Sequence, residues 1–248
     1  MHLKLICCEI FYREACRLIA DSPHRIDVEF LPKGLHDQGV EKMRPRLQEC
    51  IDAVAPGTVD AILLGYGLCN NGIARLEARH TRLVVPRAHD CITLFMGSRR
   101  RYREYFDSHP GTYYHTSGWL ERNDPNSAGG ETVQSKLGLF MRYEELVEKY
   151  GEENAQYIME TMGDGVEHYD QITFVRVGLP SDAIFQAEAE RAARDKGWKF
   201  EAVEGSLDLL RRFLFGEWNE DFLIVEPGQS IAPSYNEGVV KAVPGVGS

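Results

Sequence analysis

Two residue types that bind zinc in proteins lie close together in a short segment of this 248-residue chain. His89 and Cys91 follow an apolar run that ends at Val85, and a second apolar run begins at Ile92. Imidazole nitrogen and thiolate sulfur are the donors that this metal prefers. A single His-x-Cys pair is weak evidence, so a metal site here needs further ligands from other parts of the chain.

Two other apolar runs are also followed by cysteine. Cys7 and Cys8 end the run that starts at Leu3, and Cys69 comes shortly after the run at 60–65. All six cysteines lie within the first 91 residues, whereas core packing alone would have placed some of them later: Cys7, Cys8, Cys16, Cys50, Cys69 and Cys91. Cys16 and Cys50 fall on the apolar faces of predicted helices, which indicates packing. The candidates for chemistry are therefore the cysteines that follow predicted strands.

Apolar periodicity predicts the elements that position these cysteines. The first half is predicted to contain strands at 3–7, 27–31, 60–65 and 83–85, with helices at 11–20 and 40–54. In a parallel sheet the carboxyl ends of the strands share one edge, where α/β proteins bind their ligands. Neighbouring strands are about 4.8 Å apart, so Cys8, Cys69 and Cys91 can meet at that edge.

The same order of elements recurs near the carboxyl end, with strands at 172–177, 199–203 and 221–225 and helices at 180–196 and 207–215. We therefore predict an α/β fold of two Rossmann-like β-α-β-α-β halves, with mainly parallel sheets and helices on both faces. The predicted units are an amino-terminal half at 1–120, an insertion at 121–170, a second half at 171–230 and a tail at 231–248. The insertion is predicted to contain a polar loop at 122–131 and helices at 136–150 and 152–162.

The leading hypothesis is a metal centre held by Cys8, Cys69 and Cys91, with His89 as a fourth ligand. Thiolates from three neighbouring strand ends can reach one ion through bonds of about 2.3 Å. Cys91 is also predicted to begin a helix that Asp90 caps, where the positive end of the helix favours a thiolate.

The identity of the metal stays open between zinc and an iron–sulfur cluster. Zinc is favoured, because His-x-Cys with a distant cysteine is similar to the ligand pattern of zinc enzymes that activate a thiol for methylation. Three cysteines without a fourth also suit a [4Fe-4S] cluster with one open iron. Two interpretations without a metal remain, namely reduced thiols that only pack and a redox or nucleophilic thiol. The choice between Cys7 and Cys8 as the ligand is open as well.

Three polar residues near these cysteines are candidates for catalysis. Arg87 can bind a substrate carboxylate through both guanidinium arms, or form an ion pair with Asp90 or Glu9. Tyr66 can donate a hydrogen bond to a ligand, or pack as an aromatic side chain. Asp90 and Glu9 are candidate acid–base groups or supports for the metal ligands.

Glycines around Cys69 are candidates for cofactor binding. Gly65, Gly67 and Gly72 can allow tight turns around a ligand, or serve as ordinary loop residues. Neither a Walker sequence nor a complete Gly-x-Gly-x-x-Gly follows a predicted strand, so nucleotide binding lacks its usual support.

The composition limits the classes of partner and location. A formal charge of -10 and a pI near 5.3 argue against broad nucleic-acid binding, which needs a basic surface. The amino terminus lacks a signal-peptide pattern, and no apolar run approaches the roughly 20 residues that span a bilayer. We expect a cytoplasmic protein with no membrane contact, in which cysteines stay reduced and serve metal binding or catalysis rather than disulfides.

Three motifs, at 65–72, at 86–94 with 97–99, and at 110–114 with 118–119, together resemble the DUF1638 family. The resemblance spans most of the chain. Members of that family are often encoded near corrinoid-dependent methyl-transfer proteins, which implies a corrinoid or methyltransferase partner. The family pattern of one cysteine, a short apolar segment and a glutamate is matched better by Cys8 with Glu14 than by Cys7.

Two classes of function follow from these observations. The first is a metalloenzyme that acts on a small-molecule substrate in methyl, thiol or one-carbon metabolism. The second is a non-catalytic metal carrier or an accessory protein of a corrinoid methyltransferase. An enclosed pocket beside the cysteines, lined by Arg87 and Tyr66, would favour the enzyme.

Overall fold

The computed structural model describes residues 1–69, 71–122, 152, 169–234 and 238–245, with only the backbone of residues 36 and 37. The predicted loop at 122–131 and helices at 136–150 and 152–162 therefore lie almost entirely outside the described residues. The described strands are β1 (His2–Cys8), β2 (Arg25–Leu31), β3 (Ala61–Gly65), β4 (Leu83–Pro86), β5 (Thr112–His115), β6 (Gln171–Arg176), β7 (Lys199–Glu204), β8 (Phe222–Val225), β9 (Gln229–Pro233) and β10 (Val240–Pro244). The described helices are α1 (Tyr12–Asp21), α2 (Gly34–Asp37), α3 (Val40–Asp52), α4 (Cys91–Met96), α5 (Arg99–Ser108), α6 (Ser117–Glu121), α7 (Asp182–Lys196) and α8 (Asp208–Leu214), with a 3-10 helix at Glu9–Phe11.

The first sheet has five strands in the order β2-β1-β3-β4-β8. The first four are parallel, and β8 runs antiparallel to β4. β3 and β4 are continuous apolar runs that are buried throughout, as expected for strands covered on both faces. The ring of Phe11 stacks on that of Phe95 with centroids 4.5 Å apart, which joins the 3-10 helix that follows β1 to α4. The protein is thus a mixed α/β protein with a mostly parallel central sheet.

The second sheet has three parallel strands in the order β5-β6-β7. α7 covers it, and a small apolar cluster that includes Phe174, Ala189 and Ala193 lies between the helix and the strands. α7 ends at Gly197, whose φ of 67° is the left-handed conformation that a helix C-cap commonly requires. This end of the helix was predicted from the sequence.

Two strands pair differently from the prediction of two separate halves. β8 was expected to close the second half, but it joins β4 of the first sheet. β5, from the predicted unit at 1–120, pairs with β6 of the second sheet. An apolar run predicts a buried strand without specifying its partner, and α8 packs on α1 and α4, so the chain returns to the first sheet.

The predicted tail at 231–248 also contains regular structure. β10 pairs antiparallel with β9, and Ala242 lies opposite Ile231. Within the described residues, no helix combines the length and the apolar character that crossing a bilayer requires.

Candidate functional site

The loops after β1, β3 and β4 lie side by side, because these strands are neighbours in the first sheet. Cys8 is the last residue of β1, Cys69 lies in the loop after β3, and Cys91 is the first residue of α4. Two backbone hydrogen bonds tie the second loop to the third: the Leu68 amide donates to Ala88 over 2.8 Å, and the Cys69 amide donates to His89 over 2.9 Å. The three cysteines therefore lie at one edge of the sheet. We call this place the thiol crevice.

The thiols of the crevice share one electrostatic environment. Burial raises the pKa of Cys69 to about 12, and the charges of Asp90 and Cys8 add to this effect. Burial also raises the pKa of Cys91 well above its usual value, with further contributions from Cys69, Asp90 and Cys8. The charge of Cys8 thus reaches both Cys69 and Cys91, and without a metal these two thiols are protonated at neutral pH. The thiolate expected at the start of α4 is therefore not favoured, because burial outweighs the effect of the helix end.

The two adjacent cysteines of β1 have different surroundings, because successive side chains of a strand point to opposite faces. The Cys7 thiol donates to the carbonyl of Gly65 over 3.5 Å, and its pKa is raised by burial and by the charges of Cys8 and Glu14. Cys8 is the cysteine whose charge reaches both Cys69 and Cys91. Cys8 is therefore the residue of the pair that belongs to the thiol crevice.

The remaining cysteines lie in other surroundings. Cys16 is exposed on α1. The Cys50 thiol of α3 donates to the carboxylate of Glu29 over 3.2 Å. Both residues are useful controls for the cysteines of the crevice.

A preformed metal site is not present among the residues that the structure describes, where no group of three or more His, Cys, Asp or Glu side chains is placed to hold an ion. The side chain of His89 is exposed, and its carbonyl is the group that contacts Cys69. A metal in the crevice would therefore require the sulfurs to move closer together.

Asp90 positions α4 and the cysteine that begins it. Its Oδ1 accepts the amide of Thr93 over 3.2 Å, which caps the helix as predicted. Its Oδ2 accepts the hydroxyl of Tyr102 over 2.5 Å, and burial together with the charge of Asp90 raises the pKa of Tyr102. Since both carboxylate oxygens have structural partners, the contacts of Asp90 support a positioning role rather than the predicted acid–base role.

Two tyrosines at the crevice have buried hydroxyls. Neither the Tyr66 hydroxyl nor the Tyr114 hydroxyl has a hydrogen-bond partner within the described part of the chain. Burial raises the pKa of both, with contributions from Cys8, Cys7 and Cys69 at Tyr66 and from Tyr105 and Asp90 at Tyr114.

Sequence reasoning named Tyr66 but missed Tyr102 and Tyr114. Tyr114 lies in the motif at 110–114, which was noted for its resemblance to the family and was given a packing or lid role but no role in binding. The motif could have pointed to this residue. Tyr114 belongs to the second sheet and packs on the rings of Tyr102 and Tyr105, and the sequence does not place that sheet.

The three glycines proposed for cofactor binding make close contacts inside the protein. A Cβ at Gly65 would lie 2.4 Å from Cys7 Sγ, one at Gly67 would lie 2.7 Å from the backbone of Asp90, and one at Gly72 would lie 2.5 Å from Met43 Sδ. The space that a side chain would fill is thus occupied by protein atoms. These glycines allow the loops to pack together.

Arg87 holds the carboxyl-terminal strands, and its role as a substrate clamp stays a prediction. Its Nη1 donates to the carbonyl of Gly238 over 2.9 Å and to that of Val240. Burial and the charge of Arg99 lower its pKa. The Glu9 carboxylate accepts a hydrogen bond from the Lys33 amide over 2.8 Å. Within the described residues Arg87 therefore bonds to neither Asp90 nor Glu9, the two partners predicted as alternatives to a substrate.

A cavity of about 210 Å³ lies at the opposite, amino-terminal edge of the first sheet, lined by Ile51, Asp52, Ile62, Arg79, His80 and Thr81 among others. Its charged groups have partners: Arg79 lies 3.5 Å from Asp52 and 2.5 Å from Glu77, and Gln48 donates to Asp52 over 2.7 Å. The cavity and the cysteines thus occupy different ends of the sheet.

Comparison with known proteins identifies the family. Neither a curated protein nor a solved structure matches this chain at a significant level. A family model described as "Protein of unknown function (DUF1638)" matches residues 30–214. This match includes β3, β4 and the loops that carry Cys69 and Cys91, and it spans more than half of the chain. The chain therefore belongs to the DUF1638 family.

Proposed function

We propose that this protein binds a soft metal through Cys8, Cys69 and Cys91, with zinc as the favoured metal. The observation that carries the proposal is the position of three thiols, from three neighbouring strands, at one edge of the sheet. Their mutual electrostatic influence supports this proximity. Sulfur donors of this kind select zinc, copper(I) or iron–sulfur clusters over hard cations such as magnesium.

The chemistry of the thiols also favours a bound cation. Burial raises the pKa of the Cys69 and Cys91 thiols, and the neighbouring thiols and Asp90 raise it further. A divalent cation offsets this effect because it neutralises the thiolates and binds them directly. Metal binding would then release protons from the crevice.

The exposure of His89 bears on the fourth coordination position. With its side chain at the surface, the donor set consists of three cysteines, and one position stays open for a substrate. An open position is typical of catalytic rather than structural zinc sites. The same donor set suits a [4Fe-4S] cluster with one open iron, which is the second candidate.

An open position beside buried phenols supports a metalloenzyme that acts on a small molecule, and we place its chemistry in methyl, thiol or one-carbon metabolism. A non-catalytic metal carrier or an accessory protein of a corrinoid methyltransferase is the competing role. That role predicts a stable complex of the metal-loaded chain with a purified corrinoid methyltransferase, which gel filtration would detect.

The test is metal analysis of protein purified without oxygen. Zinc, iron and acid-labile sulfide are measured together with an absorption spectrum. The proposal predicts about one zinc ion per chain, and at least about a tenfold loss of zinc affinity in Cys8→Ser, Cys69→Ser and Cys91→Ser, a factor equivalent to about 1.4 kcal/mol. Cys16→Ser and Cys50→Ser are the matched controls and should keep the metal.

Three other outcomes have clear meanings. A brown protein that contains iron and sulfide would show that the crevice holds an iron–sulfur cluster and not zinc. A protein without metal that keeps its fold, and takes up neither zinc nor iron with sulfide when these are added, would show that the thiols only pack the crevice. Equal loss of metal in the Cys50→Ser control would place the ligands elsewhere.

A further inference from the structure

β2 forms one end of the first sheet, and its outer edge has no strand beside it. In the order of the described strands, β2 is bonded only to β1. Its seven residues make it longer than any other strand at the end of a described sheet. A row of unpaired backbone donors and acceptors is a template on which another strand can pair.

Two of the other sheet ends have protein contacts at their edges. On β7, the carbonyl of Glu204 accepts a hydrogen bond from the guanidinium of Arg101. β8 is packed against β10 of the carboxyl-terminal hairpin. β2 is therefore the long strand whose edge is left open in the described part of the fold.

The backbone groups on this open edge belong to every second residue. The Arg25 amide donates to the carbonyl of Met1, just before β1, over 3.1 Å. Backbone groups of successive residues in a strand point to opposite edges, so those of Ile26, Val28 and Phe30 point outward. These three residues present the donors and acceptors that a further strand would use.

The same three residues carry apolar side chains on one face of β2. The ring of Phe30 lies 5.0 Å from that of Tyr12, so this is the face on which α1 packs. Val28 is 37% exposed and Tyr12 is 44% exposed, and Cys16, one helical turn later, is exposed as well. We call Tyr12, Cys16, Ile26, Val28 and Phe30 the β2 patch. An apolar surface thus lies directly beside the unpaired backbone groups.

A second copy of the chain matches this edge residue by residue. A two-fold axis through Val28, perpendicular to the sheet, pairs the two copies of β2 antiparallel. Val28 then lies opposite Val28, and Ile26 lies opposite Phe30 of the second copy. Every outward residue meets an outward residue, and each such pair exchanges both of its hydrogen bonds. The β2 patches of both copies lie on the same face of the joined sheet, so the edge is complementary to itself, as a two-fold dimer requires.

The charged side chains on the opposite face of β2 fit the same register. Asp27 and Glu29 lie opposite each other across the axis, and each has a partner in its own chain. His2 Nε2 lies 2.6 Å from Asp27, and Lys4 Nζ lies 3.0 Å from Glu29. The side chain of Arg25 is 72% exposed and lies diagonal to Glu29 of the second copy, a spacing that long side chains can bridge. The ion pair formed there offsets the repulsion between the carboxylates.

We propose that this protein forms a two-fold dimer through β2, in which the first sheets of two copies join into one continuous sheet. The backbone pairing, the apolar β2 patch and the position of Arg25 all select the register centred on Val28. The proposal is independent of the proposed function, because no residue of the β2 patch is a candidate metal ligand.

The first test is the molar mass in solution, measured by gel filtration with light scattering. One chain has a mass of 28.1 kDa, and the wild type at roughly 50 μM should show twice this mass. Val28→Lys places two like charges on the axis and should raise the Kd at least about a hundredfold, which gives a monomer. Ile184→Lys is the control at an isoleucine of α7 that is 72% exposed, and it should stay dimeric.

Disulfide cross-linking tests the register. Val28→Cys in a Cys16→Ser background is oxidised with diamide, and covalent dimers are detected on a non-reducing gel. Opposite residues of a hydrogen-bonded pair have Cα atoms about 5.5 Å apart, a distance that a disulfide spans. Ile224→Cys in the same background is the matched control, because Ile224 is also 37% exposed and lies on β8 at the other end of the sheet. Val28→Cys should form the covalent dimer and Ile224→Cys should not.

Circular dichroism shows whether each variant is folded. If Val28→Lys is unfolded, hydrogen exchange of the wild type takes its place. The Val28 amide should then exchange at least about tenfold faster after dilution below the Kd, and a rate that dilution leaves unchanged overturns the proposal.

A monomeric wild type overturns the proposal, even if a strand of another protein binds the same edge. A dimer that persists in folded Val28→Lys overturns it too, as does equal cross-linking of Val28→Cys and Ile224→Cys. Metal content is measured on the same samples. A dimer that takes up no metal supports the proposal and contradicts only the metal site, whereas a metal-loaded monomer contradicts only the dimer.

Discussion

The two ends of the first sheet differ in how their polar groups are satisfied. At the amino-terminal edge, the cavity beside Arg79 is lined by charged side chains that pair with one another. At the carboxyl-terminal edge, the crevice contains thiols with raised pKa values and two phenols without partners in the described residues. The groups around the amino-terminal cavity therefore have little unmet bonding capacity within the described residues, whereas those of the thiol crevice have more.

An open cavity therefore need not coincide with the place where polar groups lack partners. Two side chains that form an ion pair with each other contribute little to stability and offer no unpaired charge to a ligand. A buried donor without an acceptor costs free energy, which a ligand can recover. The comparison predicts that substitutions at the carboxyl-terminal edge change stability, thiol chemistry and binding, whereas those at the amino-terminal edge change stability slightly.

The largest effect is expected for Gly67→Ala. The new Cβ would lie 2.7 Å from the backbone of Asp90, and backbone cannot move as a flexible side chain does. We expect a loss of about 3 kcal/mol in the free energy of unfolding, measured by chemical denaturation. Gly57→Ala is the control at the amino-terminal edge, where φ is 73° and no atom lies within 4 Å, so the loss should be about 1 kcal/mol. Equal losses would contradict the close packing of the two loops.

A large effect that depends on pH is expected for Glu14→Gln. Glu14 is fully buried next to Cys7, and its carboxyl oxygens have no hydrogen-bond partner within the described residues. Burial, with the charges of Asp182 and Glu121, raises its pKa from 4.5 to about 7. The folded protein keeps this proton up to about pH 7, whereas the unfolded chain releases it near pH 4.5. Stability is therefore lost as the pH rises through this window.

The measurement compares the free energies of unfolding of wild type and Glu14→Gln between pH 4 and pH 8. Glutamine has no charge, so the variant should gain roughly 3 kcal/mol relative to the wild type across this range. Burial lowers the pKa of His115 to about 3, which affects both proteins equally and cancels in the difference. A difference that does not change with pH would show that Glu14 is not held in a desolvated site.

A smaller effect is expected for Asp90→Ala. The change removes the cap of α4 and the partner of the Tyr102 hydroxyl, which should cost about 1–2 kcal/mol of stability. It also removes a charge that raises the pKa values of Cys69 and Cys91. The pH at which these thiols react with iodoacetamide should therefore fall.

Ser98→Ala is the matched control, because Ser98 caps α5 in the same way by accepting the amide of Arg101. It should cost about 1 kcal/mol and leave the thiol reactivity unchanged. If Asp90→Ala and Ser98→Ala shift the thiol reactivity by the same amount, the shift comes from a general loss of stability. The charge of Asp90 would then not be its cause.

The smallest effect is expected for Arg79→Ala at the amino-terminal edge. Its ion pairs are half-exposed, and such pairs contribute less than about 1 kcal/mol. Metal content should equal that of the wild type. A loss of metal would show that the amino-terminal cavity, and not the thiol crevice, is linked to metal binding.

The strands of the first sheet could be predicted because their apolar runs are local signals. The predicted strand at 60–65 corresponds to β3 (Ala61–Gly65), and the helix at 40–54 corresponds to α3 (Val40–Asp52). From these elements the sequence also placed Cys8, Cys69 and Cys91 at one edge. The cap formed by Asp90 followed from its position before an apolar helix.

The pairing of distant segments could not be predicted in this way. Nothing in the residues of β8 indicates that it pairs with β4, and this pairing determines where the carboxyl-terminal hairpin lies. Arg87 was assigned to a substrate because the partners it contacts, Gly238 and Val240, are far away in sequence. Tyr114 was missed for the same reason, since it belongs to the second sheet, which the sequence does not place.

The pairing of Val84 with Ile224 has a consequence for synthesis on the ribosome. β4 emerges early, but the strand that covers its edge follows only after most of the chain has been made. At typical translation rates this delay is on the order of ten seconds. During that time an apolar strand edge is available to other nascent chains, so the yield of folded protein should depend on chaperones that shield it until the last segment is released.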